Sequence, residues 1–84
     1  MLPPIMVDSK ATVHAKIGDN VVVTTKDVSK VTINNAAVLT VSQPHTDGSA
    51  TFNAGAKVAA NGQAQLFVYG SNQKLLYVVT VVCP

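Results

Sequence analysis

Arginine, glutamate and tryptophan are absent from the 84 residues, and cysteine occurs once. Each absence removes a chemistry. Without glutamate there is no second carboxylate type for acid/base work. Without arginine there is no bidentate clamp for phosphate or carboxylate, and without tryptophan no indole platform. The lone Cys83 excludes an internal disulfide framework and any multi-cysteine metal site. It could be free, could pair between chains, or could have a partner outside this sequence. Charged residues make up only 12%, about half the share of an ordinary soluble domain. The longest apolar run, Leu75 to Val82, contains Thr80 and falls far short of the roughly 20 residues that span a bilayer. No membrane insertion is therefore expected. The start, Met1-Leu2-Pro3-Pro4-Ile5-Met6, lacks the basic residues and continuous apolar core of a secretory signal.

What remains is small and strongly apolar. A chain of this length supports one compact domain and no cleft between lobes. The formal net charge is +2, from six lysines set singly along the chain at 10, 16, 26, 30, 57 and 74. A nucleic-acid surface gathers its cations on one face with aromatic or arginine contacts, so no nucleic-acid partner is expected. Lysines that keep a β protein soluble and blunt its edges explain the pattern.

Fifteen valines and eight threonines favour the pleated, half-buried surface of a sheet. No apolar pattern of helical period extends over a dozen residues. Short β-type runs alternate with turn signals instead. Ile5 to Val7 reads as a short edge strand behind two prolines, with residues 1–10 as an N-terminal segment and 11–84 as the single domain. Thr12 to Ile17 alternates, Val13, Ala15 and Ile17 against Thr12, His14 and Lys16. Gly18-Asp19-Asn20 turns the chain into Val21 to Thr25. Val31 to Ile33 and Val38 to Ser42 follow, then a Pro44 to Gly48 turn ending in Asp-Gly, and Ala50 to Ala54 around Phe52. Gly55 to Ala60 fits either a strand or one helical turn. Gln63 to Tyr69 and Leu75 to Cys83, joined across Gly70 to Gln73, read as a hairpin. About seven strands in one small domain predict an all-β, two-sheet sandwich. The expected inward positions are Val13, Ile17, Val22, Ile33, Val38, Phe52, Ala64, Leu66, Val68, Tyr77, Val79 and Val81.

Four segments together resemble a bacterial immunoglobulin-like domain (Big-type): Ile17-Gly18-Asp19, Val38-Leu39-Thr40-Val41, Gly62-Gln63-Ala64-Gln65-Leu66-Phe67-Val68, and Tyr77-Val78-Val79-Thr80-Val81. The resemblance covers about residues 11 to 82. The sequence departs from that family in lacking a tryptophan on the third strand, and from antibody domains in lacking the cysteine pair as well. A weaker likeness is to the β domains that open pilus-secretion outer-membrane channels. The resemblance implies attachment and display, on bacterial adhesins and envelope proteins or on phage tail and capsid-decoration proteins, with no catalytic residues to transfer. An extracellular or surface-displayed location follows, with a protein or surface glycan as partner. A secreted protease inhibitor that presents the Pro44 to Gly48 or Gly70 to Lys74 turn is the rival from another class.

Candidate chemistry is sparse. His45, Asp47 and Ser49 come nearest to a nucleophile, base and orienter, but one turn holds all three and nothing would fix their geometry. His14 is expected on an outward face. His14, His45 and Cys83 sit on separate segments, which argues against zinc. Asp19 and Asp47 are isolated, which argues against a calcium loop. None of the glycines forms a phosphate-binding loop before a helix. No enzyme activity, cofactor or metal is expected.

The final hairpin is the exception to the bland reading. With Ala64, Leu66 and Val68 facing inward, the opposite face runs Gln63, Gln65, Phe67, Tyr69. On the next strand it runs Leu76, Val78, Thr80, Val82. A sheet face that meets water ought to be polar throughout. Phe67, Tyr69, Leu76, Val78 and Val82 are therefore the candidate protein-interface residues, for self-association or for a partner. The alternatives are a covering segment such as Ile5 to Val7, or a register shifted by one.

Overall fold

The computed structural model describes residues 3–42 and 54–84. Along them lie eight strands: β1 (Ile5–Val7), β2 (Ala11–His14), β3 (Asn20–Val23), β4 (Lys30–Ile33), β5 (Leu39–Ser42), β6 (Gly55–Val58), β7 (Gly62–Tyr69) and β8 (Leu75–Cys83). A single 3₁₀ turn, Ser71–Gln73, joins the last two. The strands form two sheets of four, in the orders β1-β3-β6-β5 and β2-β8-β7-β4. Both sheets are mixed, because β1 joins β3 and β2 joins β8 in parallel while the other pairs are antiparallel. The fold is an all-β sandwich.

The core between the sheets follows from two-residue alternation. Ala64, Leu66 and Val68 of β7 and Val79 and Val81 of β8 are all 2% exposed or less. The hairpin therefore has its expected inward face, in a register that pairs Leu66 with Val79 and Ala64 with Val81. From the other sheet come Val21, Val23, Leu39, Ala56 and Val58, and Ile33 and Tyr77 pack half-buried against this core.

Several inward assignments are corrected. In β3 the buried residues are Val21 and Val23, and Val22 is only half-buried. Three consecutive valines carry no parity, so pairing with β1 and β6 sets the face. Ile17 is 55% exposed. The strand ends at His14, Ala15 takes the last buried position, and the chain then turns. The Lys16 N–H bonds to Asp19 Oδ2 at 2.9 Å, and Gly18, at φ +96°, donates to the Val58 carbonyl at 2.8 Å. Val38 is buried as expected, although it belongs to the turn, its N–H bonded to the Asn35 carbonyl, and Leu39 beside it is the buried residue that opens β5. Val13 is half-buried. Gly55 to Val58 is a strand and not a helical turn. Phe52, most of the Ala50 to Ala54 run and the Pro44 to Gly48 turn lie outside the described residues.

Gly55 is fixed by a close approach. It is buried between β3 and β5, and a Cβ there would run into the Val21 carbonyl. Only a glycine lets the neighbouring backbone come this near.

The strand directions give the sandwich two distinct ends. β2, β4 and β8 all begin at one end, where β7 finishes and the 3₁₀ turn sits. β1 and β3 begin at the opposite end, where β8 finishes. The first and last described residues therefore both leave the end farthest from the β7–β8 turn.

Candidate binding surface

The outer face of the β2-β8-β7-β4 sheet is built from the positions that alternate with the core. Phe67 stands opposite Val78 on one side and Thr32 on the other. Gln65 opposes Thr80, which also neighbours Thr12 on β2; Gln63 opposes Val82, which neighbours His14. Phe67, Tyr69, Val78, Thr80 and Val82 are all half-buried, shielded by one another and by the neighbouring strands. Lys10, Thr12, Gln65, Val78 and Thr80 line a shallow depression between β2 and β7. The structure thus brings Phe67 and Val78 into direct cross-strand pairing and sets Val82 two pairs away. β1 does not cover them, since it lies at the edge of the other sheet.

Electrostatically this face is one-sided. The four strands of the sheet contain no carboxylate, and their one lysine is Lys30. Its ammonium sits 4.8 Å from the centre of the Tyr69 ring, within cation–π range. The Asn34 and Gln65 amides close the far edge of β4. Asn34 Nδ2 donates to Gln65 Oε1 at 3.1 Å, and the Gln65 N–H donates to Asn34 Oδ1 at 2.8 Å. The Asn34 side chain is thus bonded to both the side chain and the backbone of Gln65.

At the hairpin tip the register slips. Val68 pairs with Tyr77 but Tyr69 pairs with Leu75, so Leu76 is the extra residue of a bulge. Gly70 makes room for it: a Cβ at Gly70 would lie 3.2 Å from the Leu76 methyls. Leu75 and Leu76 are 47% and 42% exposed. Leu76 was legible as an outward residue. Leu75 was not, because strict alternation assigns it to the inner face and only the bulge turns it out.

The tip itself is closed. Gly70 N–H bonds to the Lys74 carbonyl at 2.8 Å, and Asn72 and Gln73 adopt left-handed φ of 58° and 57°. Ser29 fastens it to the β3–β4 connection, its hydroxyl donating to the Gly70 carbonyl at 2.6 Å and its N–H to the Tyr69 carbonyl at 2.9 Å.

The chain has no match among family models, curated proteins or solved structures. His14 is exposed on β2, while His45, Asp47 and Ser49 lie outside the described residues. Among the described residues no three His, Cys, Asp or Glu side chains gather as metal ligands would. Cys83 is a core residue, 2% exposed, with Asn61 Nδ2 3.7 Å from its sulfur. The inward parity of β8 buries it as a free thiol.

Burial pushes the Tyr77 phenol above its ordinary value, the Thr25 hydroxyl offsets part of this, and the charge of Asp8 adds to the rise.

Proposed function

We propose that this chain is a non-catalytic, immunoglobulin-like module displayed on an outer surface, of a bacterial envelope or of a virion, that holds a protein partner against the outer face of its β2-β8-β7-β4 sheet. The observation that carries this reading is the Phe67–Val78 pair. It lies at the middle of a sheet face without carboxylates and with Tyr69 and Val82 on the same side. Soluble monomers seldom leave such a contiguous apolar strip to water.

Strand order supports the immunoglobulin-like part. β3, β6 and β5 lie together in one sheet and β4, β7 and β8 in the other, the partition that sets strands B, E, D against C, F, G in that fold. Display is supported by the first and last described residues, which lie at one end of the sandwich with the β7–β8 tip at the other. The Gly70 to Lys74 turn is closed by its own hydrogen bonds and so offers a protease no extended segment.

The test is sedimentation and partner capture with the full chain, wild type against Phe67→Gln/Val78→Thr. The variant should keep its β circular dichroism while losing self-association or partner binding. A wild type that stays strictly monomeric at high concentration and binds no partner, with a variant that unfolds, would mean the strip is core.

A further inference from the structure

Independently of that face, the end of the sandwich carries a second surface. β2, β4 and β8 run in the same direction, and each begins beside a lysine: Lys10 directly before β2, Lys30 at the first position of β4, Lys74 directly before β8. Lys30 and Lys74 lie level with the tip through the Lys30–Tyr69–Leu75 pairing. Lys10 is set back along the flank, because Ala11 pairs with Val79. Lys26, in the β3–β4 connection, belongs to the same end. Among the described residues, Asp8 and Asp27 are the carboxylates there, two against four lysines. Between the cations project Leu75 and Leu76, adjacent in sequence and both more than 40% exposed.

We propose that this tip docks on an anionic phospholipid surface, with Leu75 and Leu76 entering the headgroup region and the lysines meeting the lipid phosphates and carboxylates. Two features select lipid over an acidic protein. The leucines open β8 beside a turn held by Ser29 and the Gly70–Lys74 bond, and an exposed apolar pair fixed at a tip needs a deformable partner unless the partner supplies a matching pocket. The charge is a rim around an apolar centre, the arrangement by which interfacial segments combine buried apolar area with attraction to anionic headgroups. Nothing in this docking spans the bilayer. A tether at either chain end would leave the tip facing outward.

Each lysine near an anionic leaflet raises partition by about five-fold, and the effect decays within a Debye length. The experiment is co-sedimentation of the full chain with vesicles of phosphatidylcholine alone or mixed with phosphatidylserine, at low and high salt. Binding should require phosphatidylserine and fall steeply with salt. Lys74→Gln should lower it by about five-fold. Leu75→Ser/Leu76→Ser should lower it further, with circular dichroism and thermal midpoint confirming the fold. Lack of binding to phosphatidylserine vesicles at low salt overturns the proposal. So does binding that is indifferent to the leucine pair, which would mean charge alone, and so does capture of an acidic protein through the tip in the absence of any vesicle binding. Phe67→Gln/Val78→Thr should leave vesicle binding intact, which separates this surface from the sheet face.

Discussion

The phenol oxygen of Tyr77 lies 2.6 Å from Thr25 Oγ1, joining β8 of one sheet to the segment that follows β3 of the other. Thr25 has one hydroxyl hydrogen, and its Oγ1 also sits 3.3 Å from the Asp8 carbonyl as donor. The phenol therefore donates to Thr25, and Thr25 donates to Asp8. The chain of bonds ties the β1–β2 connection, β3 and β8 together at the end that bears the hairpin tip.

Tyr77→Phe removes this link and leaves Thr25 without its donor. A hydrogen bond of this kind contributes about 1 kcal/mol, so the unfolding free energy should fall by that much, read as a lower denaturant midpoint at an unchanged slope.

The same residue sets a pH response. Burial raises the folded phenol above its ordinary value, near 10, because a phenolate would lose water and face Asp8. Thr25 can turn its hydroxyl to an ionised Tyr77 only by leaving Asp8, which offsets the rise in part. The unfolded chain loses this proton first, so the stabilisation is complete below the ordinary phenol value and is lost as pH rises through the folded one. Urea midpoints measured up the alkaline range should fall, and Tyr77→Phe should flatten the fall. An equal decline in both proteins would assign it to other groups.

How far the sequence leads depends on the signal each segment carries. Gly62-Gln63-Ala64-Gln65-Leu66 alternates up to Phe67, which fixes the parity of the strand, so its inward face and the outward placing of Phe67 were legible. Val21-Val22-Val23 alternates nothing, so its inward pair emerges only from the contacts with β1 and β6. Ile17 reads as core because apolar identity outweighs the turn that follows it, while in the structure the Lys16–Asp19 bond takes the chain away first. The parallel pairings of β1 with β3 and of β2 with β8 are invisible locally, since the partners are far apart in sequence. The Leu75 exposure required the bulge, and no residue type announces a bulge at Val68/Tyr69.

Gly55 offers a backbone test. Its neighbours approach too closely for a Cβ, with the Val21 carbonyl as the obstacle, and backbone cannot step aside as a side chain end can. Gly55→Ala should cost more than about 2 kcal/mol, in the range of overpacked core sites. Gly18→Ala meets open space and suffers only its left-handed φ, about 1 kcal/mol. Comparable midpoints for the two would remove the close-approach argument.

Cys83 tests the parity of β8. It is buried among the core residues, so a thiol reagent should react with the native protein only as fast as the chain opens and should react fully once it is unfolded. Non-reducing gels of native protein should show monomer. Prompt labelling, or disulfide dimer forming without denaturant, would put Cys83 on the outside and reverse the face of the whole strand.

Leu66 and Phe67 are neighbours in sequence and occupy opposite sides of the sheet. Leu66 is 0% exposed between the sheets, and Phe67 stands on the opposite face beside Val78 and Thr32. Leu66→Ala should remove 2–5 kcal/mol, roughly the range for a cavity in a core that cannot fully collapse. Phe67→Thr deletes more atoms, yet its ring has no second sheet above it. It leaves a β-branched residue in a strand, so the loss should stay below about 1.5 kcal/mol, the scale of cross-strand pairing and strand propensity. A smaller side chain removed at greater cost than a larger one, one residue apart, is what the sandwich requires. Equal or reversed costs in chemical denaturation would show that Phe67 is enclosed, and would move the apolar strip from a binding face into the core.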